Sequence, residues 1–272
     1  MKPLKTILAT AALLTSFSTY AQKNLGLEAS PNFRELGGIE TADGKILKDH
    51  LIYRSGSFSN LPEEDKEKLA KTGITTVIDF RSDYEIKREP DDIPASLDAE
   101  WINSPIGNID PKSMQQFMKA LTGPSFSTDQ VDSLMIAANK GFVDNITDFK
   151  PLFDHLLEKD EVVLFHCSAG KDRTGFASSL LLYTLGADWD TIMADYLRSN
   201  EAVGKADHSK LEMYGIPKER ATYMMGVKAP YLEAAWESVR EQYGDVDTML
   251  EKELGIGKKE KKQLRKKYLS KK

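Results

Sequence analysis

The chain predicts an α/β protein with a mostly parallel central sheet flanked by helices, and three observations carry that prediction. Ile74-Thr75-Thr76-Val77-Ile78-Asp79-Phe80 and Glu161-Val162-Val163-Leu164-Phe165-His166 are short runs rich in apolar and β-branched residues, the pattern of strands buried on both faces. Segments of helical periodicity lie between and after them, so strands alternate with helices along the chain. The 272 residues contain no internal repeat and no linker long enough to demand a second folded unit.

In chain order, Ser30-Pro31-Asn32-Phe33-Arg34-Glu35-Leu36-Gly37-Gly38 reads as a looping entry, because proline and paired glycines favour turns. Ala42-Asp43-Gly44 is a turn between short extended pieces, and Leu51-Ile52-Tyr53-Arg54 is a strand. Leu61-Pro62-Glu63-Glu64 opens a short amphipathic helix over 61–72 that Gly73 ends. After the strand at 74–80, a helix carries Glu85 and Lys87 on its face. Trp101-Ile102-Asn103-Ser104 is a further short strand, stopped by Pro105 and followed by a loop from Ile106 to Pro111. Residues 112–158 read as helices broken at Thr122-Gly123-Pro124-Ser125, with a methionine and phenylalanine stripe suited to core packing. The strand ending at His166 runs directly into a helix from about Asp172 to Leu185. The basic stretch from Lys258 to Tyr268 reads as a solvated helix face pinned by Leu254, Ile256, Leu264 and Tyr268, in preference to a membrane-binding tail.

Composition is that of a globular chain able to bury a sizeable core, with 40% hydrophobic and 29% charged positions. A formal net charge of -5 supplies no global basic field for nucleic acid or anionic membrane, so a polyanion site must be local. Residues 1–21 read as a signal peptide: Lys2 and Lys5, an apolar stretch from Ile7 to Leu14, then Thr19-Tyr20-Ala21 as a small-residue cleavage site. That stretch is too short to span a bilayer, so the expectation is an exported protein, periplasmic or secreted, whose mature chain of residues 22–272 has no transmembrane segment. The one cysteine, Cys167, excludes an intrachain disulfide, and no cysteine near the cleavage site offers a lipid anchor. A lone thiol in an exported protein is either buried and inert or reactive for a reason.

The reason lies in His166-Cys167-Ser168-Ala169-Gly170-Lys171-Asp172-Arg173-Thr174-Gly175, set between strand and helix. A strand-loop-helix turn of this kind points successive backbone N–H groups, and the positive end of the helix dipole, at a space the size of a phosphate. Ser168, Ala169, Gly170, Lys171, Asp172, Arg173 and Thr174 are therefore the expected phosphate-binding residues, with Gly170 permitting the sharp turn. The same N–H groups and Arg173 favour thiolate at Cys167, and the arginine fork can follow phosphoryl oxygens into the transition state. Thr174 sits where its hydroxyl can donate to the Cys167 sulfur. His166 is expected either to order the loop as a satisfied buried histidine or to influence the thiolate. Lys171 adds charge, either as general support for phosphate or to suit a substrate with more than one phosphate. An inert buried cysteine would leave the arginine six residues on, the glycine and the flanking elements as coincidences. A nucleotide-binding Walker loop is disfavoured, since Phe165 stands where that motif needs glycine.

These ten residues resemble the signature of protein tyrosine phosphatases, and the Gly-Lys-Asp-Arg-Thr form resembles bacterial enzymes with tyrosine- and phosphoinositide-phosphatase activity. The resemblance continues through Asn32-Phe33-Arg34-Glu35-Leu36-Gly37-Gly38, Tyr53-Arg54-Ser55, Asp79-Phe80-Arg81 with Glu85, and Asp195-Tyr196-Leu197 with Ser199-Asn200, covering roughly residues 30–269. Glu35 and Phe80 depart conservatively from its usual Asp and Leu. It implies a three-layer α/β fold and a two-step mechanism without metal or other cofactor, in which Cys167 attacks phosphorus. Phosphotyrosine protein or peptide is the leading expected substrate, with phosphoserine, phosphothreonine and phosphoinositide as extensions. A general acid must protonate the leaving oxygen. Asp110, on the loop after the Trp101 strand, sits where related dual-specificity phosphatases carry theirs; Asp172 and Asp79 compete with it. Residues 112–158, longer than a minimal phosphatase needs, are either a helical lid or an enlarged core. A catalytically weak module that binds phosphorylated groups, or a rhodanese-type sulfurtransferase, are the rival readings.

Overall fold

The computed structural model describes residues 27, 30–107, 111–203, 212 and 215–272. The leader read at 1–21 and the acid candidate Asp110 lie outside the described residues. In chain order the strands are β1 (Arg34–Glu35), β2 (Lys45–Leu47), β3 (Ile52–Ser55), β4 (Thr76–Asp79), β5 (Glu100–Asn103), β6 (Val163–His166) and β7 (Leu269–Lys271). Five of them form one sheet in the order β1-β3-β6-β4-β5. All its pairings are parallel except that of β1 with β3. The near-continuous apolar run of β6 takes the centre, as expected of a strand covered on both faces. His166 is level with Ser55 on one side and Asp79 on the other, so the loops leaving β3, β6 and β4 meet at one edge of the sheet.

The alternation of side chains along these strands sorts two cores. Ile52, Ile78, Val163 and Phe165 face a large one; Tyr53, Val77 and Leu164 face a smaller one with Phe58, Leu61 and Leu97, closed by Leu69 of α1 (Glu63–Ala70). The remaining helices are α2 (Asp83–Arg88), α3 (Pro111–Thr122), α4 (Thr128–Asp144), α5 (Lys150–Leu157), α6 (Asp172–Leu185), α7 (Trp189–Leu197), α8 (Ser199–Val203), α9 (Lys218–Met225), α10 (Ala229–Tyr243), α11 (Val246–Leu254) and α12 (Lys258–Tyr268). The central one, α6, is buried nearly all round, and its polar side chains Ser178, Ser179 and Thr184 donate back to carbonyls within the helix.

The lid reading of 112–158 fails for its second half. Phe142, Ile146, Phe149, Leu152, Phe153 and Leu156 all belong to the large core, and α5 packs against β4 and β6. Burying each such side chain is worth about 1.5–3 kcal/mol, which a cover that opens would forfeit. The basic α12 is docked as expected: Leu264 and Tyr268 are buried, and the Tyr268 hydroxyl donates to the Leu156 carbonyl at 3.0 Å. The strand after it, β7, pairs antiparallel with β2. Three residues carry too little pattern for that pairing to be read from sequence. Among the described residues no helix is long and apolar enough to cross a membrane.

Candidate active site

Cys167 leaves β6 almost fully buried, and the loop behind it is tied down by its carbonyls. The Ser57 amide donates to Ser168 O at 3.0 Å; the Asn32 side-chain amide and Arg54 Nη2 both donate to Gly170 O, at 2.6 and 2.8 Å. With these oxygens engaged, an anion at the start of α6 would meet the N–H edges of the loop. Gly170, at φ +66°, is pressed against the end of β3: a Cβ there would lie 2.4 Å from the Ser55 carbonyl carbon. Gly175 likewise makes room, since a Cβ would come within 2.7 Å of the Tyr196 ring.

Arg173, in the first turn of α6, is gripped by Glu85 of α2 in a two-bond fork, Nη2 to Oε1 at 2.6 Å and Nη1 to Oε2 at 2.9 Å. Nη1 also donates to Phe80 O at 3.0 Å, and Ser168 Oγ donates to Glu85 Oε1 at 2.7 Å. Burial works against both charges, but each stabilises the other. Glu85 is held down at about 2, and Arg173 is raised by the neighbouring Cys167 and Glu85 charges. Glu85 is one carboxylate with two tasks, because it also accepts from the Ser82 amide as the return half of a capping box. Sequence reading left Glu85 on a helix face. The signal was present in Ser82-x-x-Glu85, which folds the carboxylate back to the helix start, where the β4 exit faces the loop.

A second cluster lies behind the loop. Asp195, in α7, receives Arg34 Nε at 3.1 Å on one oxygen and Arg54 Nη1 at 2.5 Å on the other, all three side chains being buried. Burial raises the Asp195 carboxyl, yet the two arginines hold it at about 2; burial and the Arg54 charge bring Arg34 down to about 10.

The profile of a tyrosine phosphatase family matches residues 25–270. The chain belongs to the tyrosine phosphatase family. It is accordingly a phosphatase. It is 30% identical over 244 residues to a protein of Cupriavidus necator named as a tyrosine-protein phosphatase, spanning 88% of this chain and 87% of that one. It is 31% identical over 247 residues to the triple specificity protein phosphatase PtpB of Mycobacterium tuberculosis, spanning 79% of this chain and 88% of that one. The crystal structure of TpbA from P. aeruginosa shares 15% of residues over 72% of this chain and 91% of its own, with a TM-score of 0.29.

Within this phosphatase, Cys167, Ser168, Ala169, Gly170, Asp172, Arg173 and Thr174 lie in the loop after β6 and the first turn of α6. Three expectations need correction. Asp79 is no acid for a leaving group: it is fully buried and both its oxygens accept from the Arg81 guanidinium. The Lys171 side chain is not free to hold a substrate phosphate: its Nζ donates to the carbonyls of Met224 and Gly226 at the end of α9, at 2.6 and 3.2 Å, and lies 3.5 Å from Asp172 Oδ2. Thr174 Oγ1 is buried with no hydrogen bond among the described residues, so the expected donation to Cys167 is not formed. His166 is only half satisfied, since its Nε2 is buried without a hydrogen bond among the described residues. It is buried between the edges of Phe58 and Trp101, contacts Cys167 O through Nδ1 at 3.3 Å, and burial lowers its pKa toward the neutral form. Asp79, Asp91 and His166 offer ligand atoms within 4.8 Å of one another, but Arg81 already bonds both carboxylates and takes the place a cation would have.

Proposed function

We propose that this phosphatase hydrolyses phosphotyrosine in proteins or peptides through a cysteinyl-phosphate on Cys167. Thiolate Sγ attacks phosphorus; the S–P bond forms as the ester P–O bond breaks, and an aspartic acid gives the leaving oxygen its proton. Water then attacks phosphorus, giving its proton to the carboxylate left by the first step; the S–P bond breaks, and phosphate and thiolate are released. Arg173 and the loop N–H groups hold the three equatorial oxygens throughout and stabilise the charge that grows on them. The observation that carries this reading is the Glu85–Arg173 fork, which fixes a buried guanidinium beside a buried cysteine at one helix start.

With Asp79 removed, Asp172 and Asp110 are the acids to compare. Asp172 has the Tyr196 hydroxyl as a neighbour, and its Oδ2 is 3.5 Å from Lys171 Nζ. Its place in the first turn of α6, next to Arg173, favours Asp172. The relative named a triple specificity phosphatase is the reason to test beyond tyrosine. Export through residues 1–21 belongs to the same reading and rests on Lys2, Lys5, the apolar stretch and the Ala21 site alone.

Phosphate release from phosphotyrosine, phosphoserine and phosphothreonine peptides and from phosphoinositide, by wild type and Cys167→Ser, tests the proposal. Fastest turnover of the phosphotyrosine peptide, absent in the variant, is expected. Turnover of phosphoinositide alone would move the substrate assignment, and equal activity in the variant would remove Cys167 from the reaction. Asp172→Asn should slow a poor leaving group more than a good one; if only Asp110→Asn does so, the acid is Asp110.

A further inference from the structure

We propose that Arg54, aimed by Asp195 and seconded by Asn32, is a positioning residue that acts on the phosphoryl group through the Gly170 peptide without touching it. This deepens the reading of the Cys167 loop as a phosphate cradle and rests on it. Arg54 is fully buried and divides its fork, Nη1 to Asp195 Oδ2 at 2.5 Å and Nη2 to Gly170 O at 2.8 Å. The Asn32 amide donates to the same oxygen at 2.6 Å. A carbonyl oxygen has two lone pairs, so both are engaged and the peptide cannot flip to aim its oxygen at an anion. The N–H of that peptide unit belongs to Lys171, and donors on its carbonyl polarise it into a stronger donor toward the cup. The same clamp accounts for Gly170, whose positive φ lets the loop sit directly on Ser55 and Gly56.

The charges point the same way. Arg34 and Arg54 face one carboxylate, which leaves a surplus positive charge sealed beneath the loop. Burying three charged groups is costly, and apolar residues of similar volume would pack as well, so packing alone does not account for them. Little solvent or salt can screen that charge, whereas a surface arginine would lose most of its reach. Asn32 completes the arrangement from a φ of 60°, a backbone conformation that asparagine tolerates better than most residues. Its Oδ1 accepts from Arg34, so the backing cluster and the loop share one hydrogen-bonded unit.

The test uses the full chain and tungstate, a stable oxyanion, with affinity read by calorimetry. Asn32→Gly keeps the backbone conformation and removes one donor from Gly170 O. Arg54→Lys keeps the charge but loses the planar fork that bonds Asp195 and Gly170 O from separate nitrogens. Neither changes net charge, so a change in tungstate affinity reports the cradle. Tungstate should bind roughly tenfold more weakly to Arg54→Lys and to Asn32→Gly, with kcat/KM on p-nitrophenyl phosphate falling in proportion. A purely structural role would lower Tm and leave tungstate affinity and kcat/KM of the folded protein unchanged, and that result would overturn the proposal. If Arg54→Lys does not fold, Asn32→Gly decides alone. Binding is read without turnover, so a wild type that binds tungstate yet hydrolyses nothing would sink the phosphatase reading and leave the cradle result to be judged by the variants. A wild type that does not bind tungstate would overturn both.

Discussion

The Cys167 loop is held from two sides by different physics. On the side of β1 and β3, charged groups buried from water grip it: Arg54 and Asn32 on Gly170 O, with Asp195 and Arg34 behind. On the side of α9, Lys171 reaches two helix-end carbonyls, and α9 and the residues after it are moored to α4 by a half-exposed cluster. There Asp132 accepts from the Tyr223 and Tyr231 hydroxyls and from Lys228 Nζ, and Arg220 donates to Leu121 O and Gly123 O. Breaking a buried charge pair by removing one partner costs about 3–5 kcal/mol, whereas an exposed pair is worth about 0–1 kcal/mol because water replaces it. The first side therefore sets the geometry of the loop. The second rests on a lysine bonded to neutral carbonyls and on the partly exposed Asp132–Lys228 pair, so it contributes less to that geometry.

That contrast can be broken most directly at Arg173. Arg173→Lys should lower kcat by about 10²-fold or more, since lysine cannot keep the Glu85 fork and hold two oxygens in one plane. A kcat within a few fold of wild type would mean the fork is decoration. Next in size, Phe153→Ala should destabilise the fold by about 3–5 kcal/mol in a denaturant titration, with kcat of the folded protein unchanged. If it altered KM and left stability alone, residues 142–157 would be a cover after all.

Glu85→Gln sharpens the comparison through pH. The folded Glu85 carboxyl stands at about 2 against an ordinary 4.5, so its contribution to stability is full above about 4.5 and is lost as pH falls toward 2. Thermal melts of wild type from about pH 6 to about pH 2 should show a fall that is shallower in the variant, together with roughly a tenfold loss of kcat at neutral pH. Parallel melting curves would contradict the assignment of that slope to Glu85. The smallest effect belongs to the soft side. Lys171→Met and Asp132→Asn should leave kcat within about threefold, and speed hydrogen exchange over residues 218–226 while leaving β6 and α6 protected. Equal exchange on both sides would remove the distinction.

Much of this was legible in the sequence because it is local. The apolar runs at 76–79 and 163–166, the helix start at Asp172 and the turn at Gly170 follow from neighbouring residues alone. What was not legible depends on where a long side chain goes. Lys171 belongs to the loop motif, yet its amine is spent on Met224 and Gly226, more than fifty residues away. Asp79 ends a strand beside the loop, but Arg81 two residues on closes over both its oxygens. Asp195 carried a resemblance and no role; only the fold shows two arginines from β1 and β3 converging on it.

The central claim is that phosphate passes through Cys167, and trapping the intermediate tests it most directly. Wild type mixed with p-nitrophenyl phosphate in chelator and quenched in acid within the first turnovers should yield a peptide containing Cys167 that is heavier by one phosphoryl group, and Cys167→Ser should release no nitrophenol. Full turnover with no phosphoryl group on that peptide, or release of nitrophenol by the variant, would contradict the account.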